Sequence, residues 1–428
     1  MIQFVTFLLF IATGVHPVKL LVDTRYVGAV EVRLDQRVVA RLTKPPWEAR
    51  CDFGPRIRPH VLEAVAYDPA GREMDRIEQW INLPRARAEA GLMVRVVDHH
   101  PYVQLTWSEV EDRKPEKIAL FLDGEPVPVH DPRSIRLPDS VFGDPHVVRA
   151  DVVFGPHDIA HAALAFGLGF FDQSQGELTA VPFVPSGDAA VPGPEAMKGW
   201  FSSAGEPLTA SVVEKGRAEV LIVVAADALG HLPILRRWGV SRGHHALLAD
   251  LAADTDVRVL LPVPREAGPR DGSQAWLFPF SPLVGAGRIT PELLFNVATQ
   301  AHQARDRQEL ATAVALAGVE VCASARRRAV VLLLGDRSKR DEGWRAGEIQ
   351  DFLAELHVPL FVWALSSQQR PEGDWPAQRL MLRSTFRRAA ARLRDALESQ
   401  RVVWLLGHVP PNTVQLSAEA RTHGRLAP

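Results

Sequence analysis

The sequence predicts a multidomain chain, two all-β sandwich modules followed by a doubly wound α/β domain. Three observations carry this. At 428 residues the chain exceeds one core, since domains hold roughly 100–200 residues. From Lys19 to Phe183 the pattern is short alternating apolar runs separated by Gly, Pro and Asp, the punctuation of β structure. After Arg217 near-continuous apolar strands alternate with amphipathic helices, as in a parallel sheet covered on both faces. Composition narrows the function classes. With 49 basic and 51 acidic residues, 46% hydrophobic and 23% charged, the chain is not that of a polyanion binder, a disordered tail or a multispan membrane protein. Two cysteines, Cys51 and Cys322, exclude a disulfide scaffold and a cysteine zinc module.

Residues 1–17 are expected to be a signal segment, and the protein secreted or periplasmic. Phe4–Val15 is an apolar run of signal-core length, too short to cross a bilayer as a helix. Met1-Ile2-Gln3 lacks Lys or Arg and the small-residue pattern at Ala12-Thr13-Gly14 is imperfect, which leaves a buried first strand as the alternative. No later segment approaches about 18 uninterrupted apolar residues, so no membrane span is expected.

The two β modules, expected at 18–85 and 86–184, read as copies of one immunoglobulin-like sandwich. Val30–Leu34 alternates and turns at Asp35-Gln36; Ile118–Leu122 does the same at Asp123-Gly124, an offset of 88. Phe53-Gly54-Pro55 with His60 recurs as Phe154-Gly155-Pro156 with His161, an offset of 101. The second copy is therefore expected to carry 13 additional residues between these landmarks, with His60 and His161 where a turn enters a core strand. Pro and Gly then crowd residues 185–213, expected as a linker.

In 214–428, Glu219–Ala225, Val257–Leu261, Ala329–Leu334 and Pro359–Leu365 are strand-like. Thr290-Pro291-Glu292 opens a helix with a hydroxyl cap, a proline and an acid. A further helical stretch, Leu310–Ala317, is closed by Gly318. The phrase Arg327–Asp336, the helix Glu348–Leu356, the strand Val358–Leu365 and the closing Val402–Pro410 together resemble a von Willebrand factor type A (VWA) domain of the bacterial VWFA-related group known from acidobacterial proteins. The resemblance covers about half the chain.

That resemblance implies a metal-ion-dependent adhesion site at the C-terminal edge of the sheet. Such a site takes hard oxygen ligands for Mg²⁺: an Asp and two Ser after the first strand, a Thr, and an Asp after the fourth strand. Here Asp227 keeps its place, while Leu229 and His231 stand where the Ser ligands belong, and neither suits Mg²⁺. Thr290 and Asp336 take the remaining positions, and Arg337 adds a cation able to pair with Asp227 or Asp336. Asp227, Thr290 and Asp336 are thus expected to be a vestigial site with no cofactor, Mg²⁺ being the alternative, and His231 and Arg337 candidate residues of a binding edge. Gly239–Gly243 matches GxSxG, but Arg236-Arg237-Trp238 is a poor strand end, so Ser241 is read as lying in a helix-ending turn. His244-His245 reads as a polar cap, and the arginines between Leu382 and Leu397 as a solvated flank rather than a nucleic-acid surface. The expected function is that of a non-enzymatic, adhesion-type protein with a protein partner. The alternatives are a structural subunit of an envelope assembly and a hydrolase built on the Asp227, His231 and Asp336 cluster.

Overall fold

The structure, a computed structural model, describes residues 2–6, 11–22, 24, 26–83, 88–97, 100–109, 114–138, 146–155, 158–166, 178–187, 192–239, 248, 251, 253–263, 265–266, 276–278, 281, 284–286, 291–303, 309–323, 326–335, 344–365, 375–380, 382–407 and 409–427. The first module comprises β1 (Ile2–Phe4), β2 (Val15–Val22), β3 (Ala29–Leu34), β4 (Arg37–Leu42), β5 (Glu48–Asp52), β6 (His60–Tyr67) and β7 (Glu73–Ile81). Two antiparallel sheets, β1-β2-β5 and β4-β3-β6-β7, face each other. Strand alternation sends Val18, Leu20, Ala49 and Cys51 inward from one, and Val30, Val32, Leu62 and Ala64 from the other.

The second module repeats this plan with β8 (Ala88–Val97), β9 (His100–Glu109), β10 (Lys117–Leu122), β11 (Glu125–Val127), β12 (Ile135–Arg136), β13 (His146–Gly155) and β14 (Asp158–Phe166). Its sheets are β12-β9-β8 and β11-β10-β13-β14. Both are seven-stranded, immunoglobulin-like sandwiches. The duplication follows the 88-residue offset of the aspartate turns, not the 101-residue one. His60 opens β6 and hydrogen-bonds Asp35; the residue that opens β13 and hydrogen-bonds Asp123 is His146. His161 instead lies within β14 opposite Asp151, and Phe154-Gly155 ends a strand where Phe53-Gly54 precedes one. Short FGP triplets recur because strand ends share turn chemistry, not because they are equivalent.

The N-terminal segment, expected to lie outside the fold, is part of the first sandwich. Ile2 pairs with Val22 and Phe4 with Leu20, and the buried Ala12 N–H donates to Asn82 Oδ1 at 2.7 Å. An apolar run serves a signal core and a buried strand equally, which is why the sequence left both open.

The segment expected as a linker is also structured. After β15 (Leu178–Pro185) come a 3-10 turn (Pro194–Met197), β16 (Phe201–Ser203), β17 (Glu206–Leu208) and β18 (Ala210–Glu214). The α/β domain follows as β19 (Ala218–Val224), α1 (Leu232–Gly239), β20 (Thr255–Leu260), β21 (Arg265–Glu266), β22 (Trp276–Leu277), β23 (Val284–Gly285), α2 (Pro291–Gln303), α3 (Leu310–Ala323), β24 (Arg327–Leu334), α4 (Ala346–Glu355), β25 (Leu360–Ala364), β26 (Gln378–Arg379) and α5 (Arg383–Ser399). The chain closes with β27 (Arg401–Leu406), β28 (Val414–Leu416), α6 (Ala420–His423) and β29 (Gly424–Leu426).

These last strands do not join the α/β sheet. They pair with β15–β18 in a third sandwich of sheets β18-β27-β15-β29 and β17-β16-β28, whose core holds Phe183, Met197, Trp200, Phe201, Val403 and Leu405. The α/β domain is therefore an insertion between β18 and β27, which lie side by side with Glu214 opposite Val402. The second module accordingly ends at β14, before β15. Val402–Leu406 reads as a buried parallel strand because both of its faces are covered: Val403 and Leu405 by the third core, Trp404 by Glu214 and by the Arg149 guanidinium of β13.

Within the insertion the sheet order is β23-β20-β19-β24-β25-β26, parallel except for the β23 edge. Alternate residues of β19 feed opposite faces. Val220, Ile222 and Val224 meet α1, α2 and α5, while Leu221 and Val223 meet α3 and α4. α3 is apolar around most of its circumference, so its outer side also needs cover. Ile11, Ile57 and Leu83 of the first module join the same cluster, and Arg58 lies 3.5 Å from Glu355 on α4. Gly318 does not end α3; it lies inside the helix, where a Cβ would meet Leu353 of α4 at 3.0 Å.

Candidate binding crevice

The strand order reverses between β19 and β24, and loops leaving neighbouring strands on either side of such a reversal diverge to form a crevice at their C-terminal ends. After β19 the chain forms a 3-10 turn, Ala226–Gly230, with Asp227 in its first residues. His231 closes the turn by donating its N–H to Ala228 O at 2.9 Å, and its own carbonyl accepts from Ile234 at the start of α1. Asp227 and His231 are half-buried, and the local chain brings them to one edge. Leu229, where the resemblance puts a serine ligand, packs against the core cluster around Leu232 and Leu235.

Across the reversal, Ala225 N–H donates to Leu333 O at 2.9 Å, and β24 runs out at Gly335. A Cβ on Gly335 would overlap the Asp227 carbonyl, so only glycine allows the two loops to approach this closely. On the other side Ala226 clusters with Leu261, Val263 and Ala301, and Glu309 donates its N–H to Pro262 O at 3.0 Å. The half-buried Glu309 thus joins the crevice rim, a residue for which the sequence carried no motif.

Thr290, Asp336, Arg337, Ser241, His244 and His245 lie outside the described residues. What is described bears on the Thr position. α2 meets the crevice with Ala301, near its C-terminal end. Pro291, its first residue, stands about 15 Å away along the axis at 1.5 Å per residue. Of the described side chains at the turn, Asp227 offers a hard oxygen of the kind Mg²⁺ takes.

The opposite edge of the sheet holds a buried ionic base. Glu219, 1% exposed, pairs with Arg258 at 2.6 Å; Arg326 and Arg217 meet Asp256 at 3.0 and 2.8 Å. Arg327, fully buried, pairs with Asp254 at 2.6 Å and donates to Gly216 O and Leu397 O, which flank the two junctions with the third sandwich. Arg328 points at the carbonyls of Cys322, Leu356 and His357, capping the ends of α3 and α4. The visible signal is a charged residue at the head of two apolar strands, Glu219 in β19 and Arg327-Arg328 in β24. The base organises the insertion, whereas the crevice faces outward from its other end.

No family model matches this chain, and none of the curated proteins does. Among solved structures, the Clostridium thermocellum CbhA fibronectin(III)-like modules match over 39% of this chain and 91% of theirs, at 18% identity and a TM-score of 0.16. At that score the likeness does not bear on the fold, which rests on the strand pairing above.

Proposed function

We propose that the chain is a non-enzymatic, adhesion-type binding protein, in which three β-sandwiches hold out a VWA-like α/β insertion whose Asp227 crevice contacts a protein partner without a metal ion. The observation that carries this reading is the close approach of Gly335 to the Asp227 carbonyl across the strand-order reversal, which sets the turn bearing Asp227 against the end of β24. The parallel order β20-β19-β24-β25-β26 supports the VWA-like assignment. Leu229, turned to the core, and Pro291, far along α2, support the loss of the metal site. Export is part of the same proposal but does not rest on removal of Phe4–Val15, since Ile2, Phe4 and Ala12 are built into the first sandwich; fractionation of host cells tests it, recovery of the chain from the cytoplasm alone contradicting it. The function itself is tested by affinity capture from host extracts with the full chain and its Asp227→Ala variant. A protein retained by the former and lost by the latter is expected, and equal capture by both contradicts the crevice as the contact.

A further inference from the structure

We infer that the outer face of α5, with Leu382 at its head, is a second contact surface, one that takes an acidic segment of a protein partner. α5 packs Phe386, Ala389, Ala390, Leu393 and Leu397 inward and leaves Arg387, Arg388 and Arg392 exposed. None of these three has a carboxylate partner among the described residues: Arg388 reaches only Ser384 O and Arg392 only Gln378 Oε1, both at 3.4 Å. The charges also run against the helix. A helix favours acids in its first turn, yet α5 has Arg383 in its first turn and no acid there. Arg383 with Arg387, and Arg388 with Arg392, are like-charge neighbours at i,i+4, which weakens a helix. Departures from local rules are expected at functional or strained sites.

The position agrees. β26 pairs in parallel with β25 and Leu380 N–H donates to Ala364 O, so α5 begins at the crevice edge. There Leu382, 62% exposed, adds an apolar contact beside the arginines. The strip is one helix wide on a chain of net charge −2, too narrow a field to track a nucleic-acid backbone, and it interleaves no aromatic side chain. A membrane surface is equally ill-suited, because the apolar face of α5 is already spent on the sheet. An acidic peptide with one apolar side chain matches both the charge and Leu382. The surface is distinct from the Asp227 crevice, so either contact stands if the other fails.

The test uses the full chain and its Arg387→Gln/Arg388→Gln/Arg392→Gln variant, with fluorescence anisotropy of a labelled Glu-rich dodecapeptide carrying one Leu. A single-stranded oligonucleotide and phosphatidylglycerol vesicles are the other probes. Salt-sensitive peptide binding is expected, weakened about tenfold in the variant, with a melting temperature equal to or above that of the parent because like-charge repulsion is relieved. No peptide binding at low salt, equal binding by the variant, tighter binding of the oligonucleotide or vesicles, or a lowered melting temperature would each overturn the inference.

Discussion

The imidazole Nδ1 of His60 lies 2.8 Å from the carboxylate of Asp35, whose other oxygen accepts the Val61 N–H at 3.0 Å. The second module repeats the pair, with His146 2.6 Å from Asp123. One carboxylate thus pins a hairpin turn to the head of the strand paired beside it. Asp35→Ala is expected to destabilise the first module by about 1 kcal/mol, and Asp123→Ala the second by a similar amount. Urea unfolding of the full chain checks this; an effect in one module alone would argue against their equivalence.

At the base of the α/β sheet, Glu219 and Arg258 are both withdrawn from water. Arg258→Met leaves the buried Glu219 carboxylate with the longer contact to Arg326 at 3.9 Å and is expected to cost about 3 kcal/mol, whereas Glu219→Leu/Arg258→Met recovers most of that loss. Thermal unfolding of the two variants separates the pair's contribution from simple packing.

His357 links pH to the contact between the insertion and the third sandwich. It sits at φ 56 after α4 with its ring 3.2 Å from Ala427 O. Burial, reinforced by the Arg328 guanidinium, pushes its pKa down to about 4 from 6.5. Above pH 6.5 the ring is neutral folded and unfolded, and stability is independent of it. As pH falls from 6.5 towards 4, the unfolded ring gains a proton that the folded one refuses, so up to about 3 kcal/mol is lost. His357→Asn, which tolerates the left-handed backbone and does not titrate, is expected to flatten this part of the melting-temperature profile.

Ile11, Ile57 and Leu83 of the first module join the core cluster of α3 and α4, which gives a further expectation. A fragment restricted to 218–399 exposes that apolar face and is expected to associate in size-exclusion chromatography, while the full chain does not. A monodisperse fragment would show that the first module is dispensable to the insertion.

Much of this was legible because local patterning and tertiary role agree. Val30–Leu34 alternates because one face is buried, and Asp35-Gln36 turns at positive φ, 50 and 67. Glu219–Val224 reads as a buried parallel strand and is one. The insertion was not legible, since Val402–Leu406 is covered on both sides by long-range partners, Trp404 by Arg149 of another module. Residues 185–213 hid behind their prolines, although Trp200, Phe201 and Leu208 are apolar anchors of a core. At the crevice, Asp227 followed from the resemblance to a VWA domain, whereas Glu309 and the need for Gly335 arise only from loops meeting in space.

The Asp227 crevice is proposed to work without a metal ion. Calorimetric titration of the full chain with Mg²⁺ and Mn²⁺, repeated on Leu229→Ser/His231→Ser, tests it most directly. No micromolar binding is expected in either protein, because Leu229 faces the core and α2 brings its far end to the rim. Micromolar binding by the unmodified chain would contradict the account and return the crevice to metal-dependent adhesion.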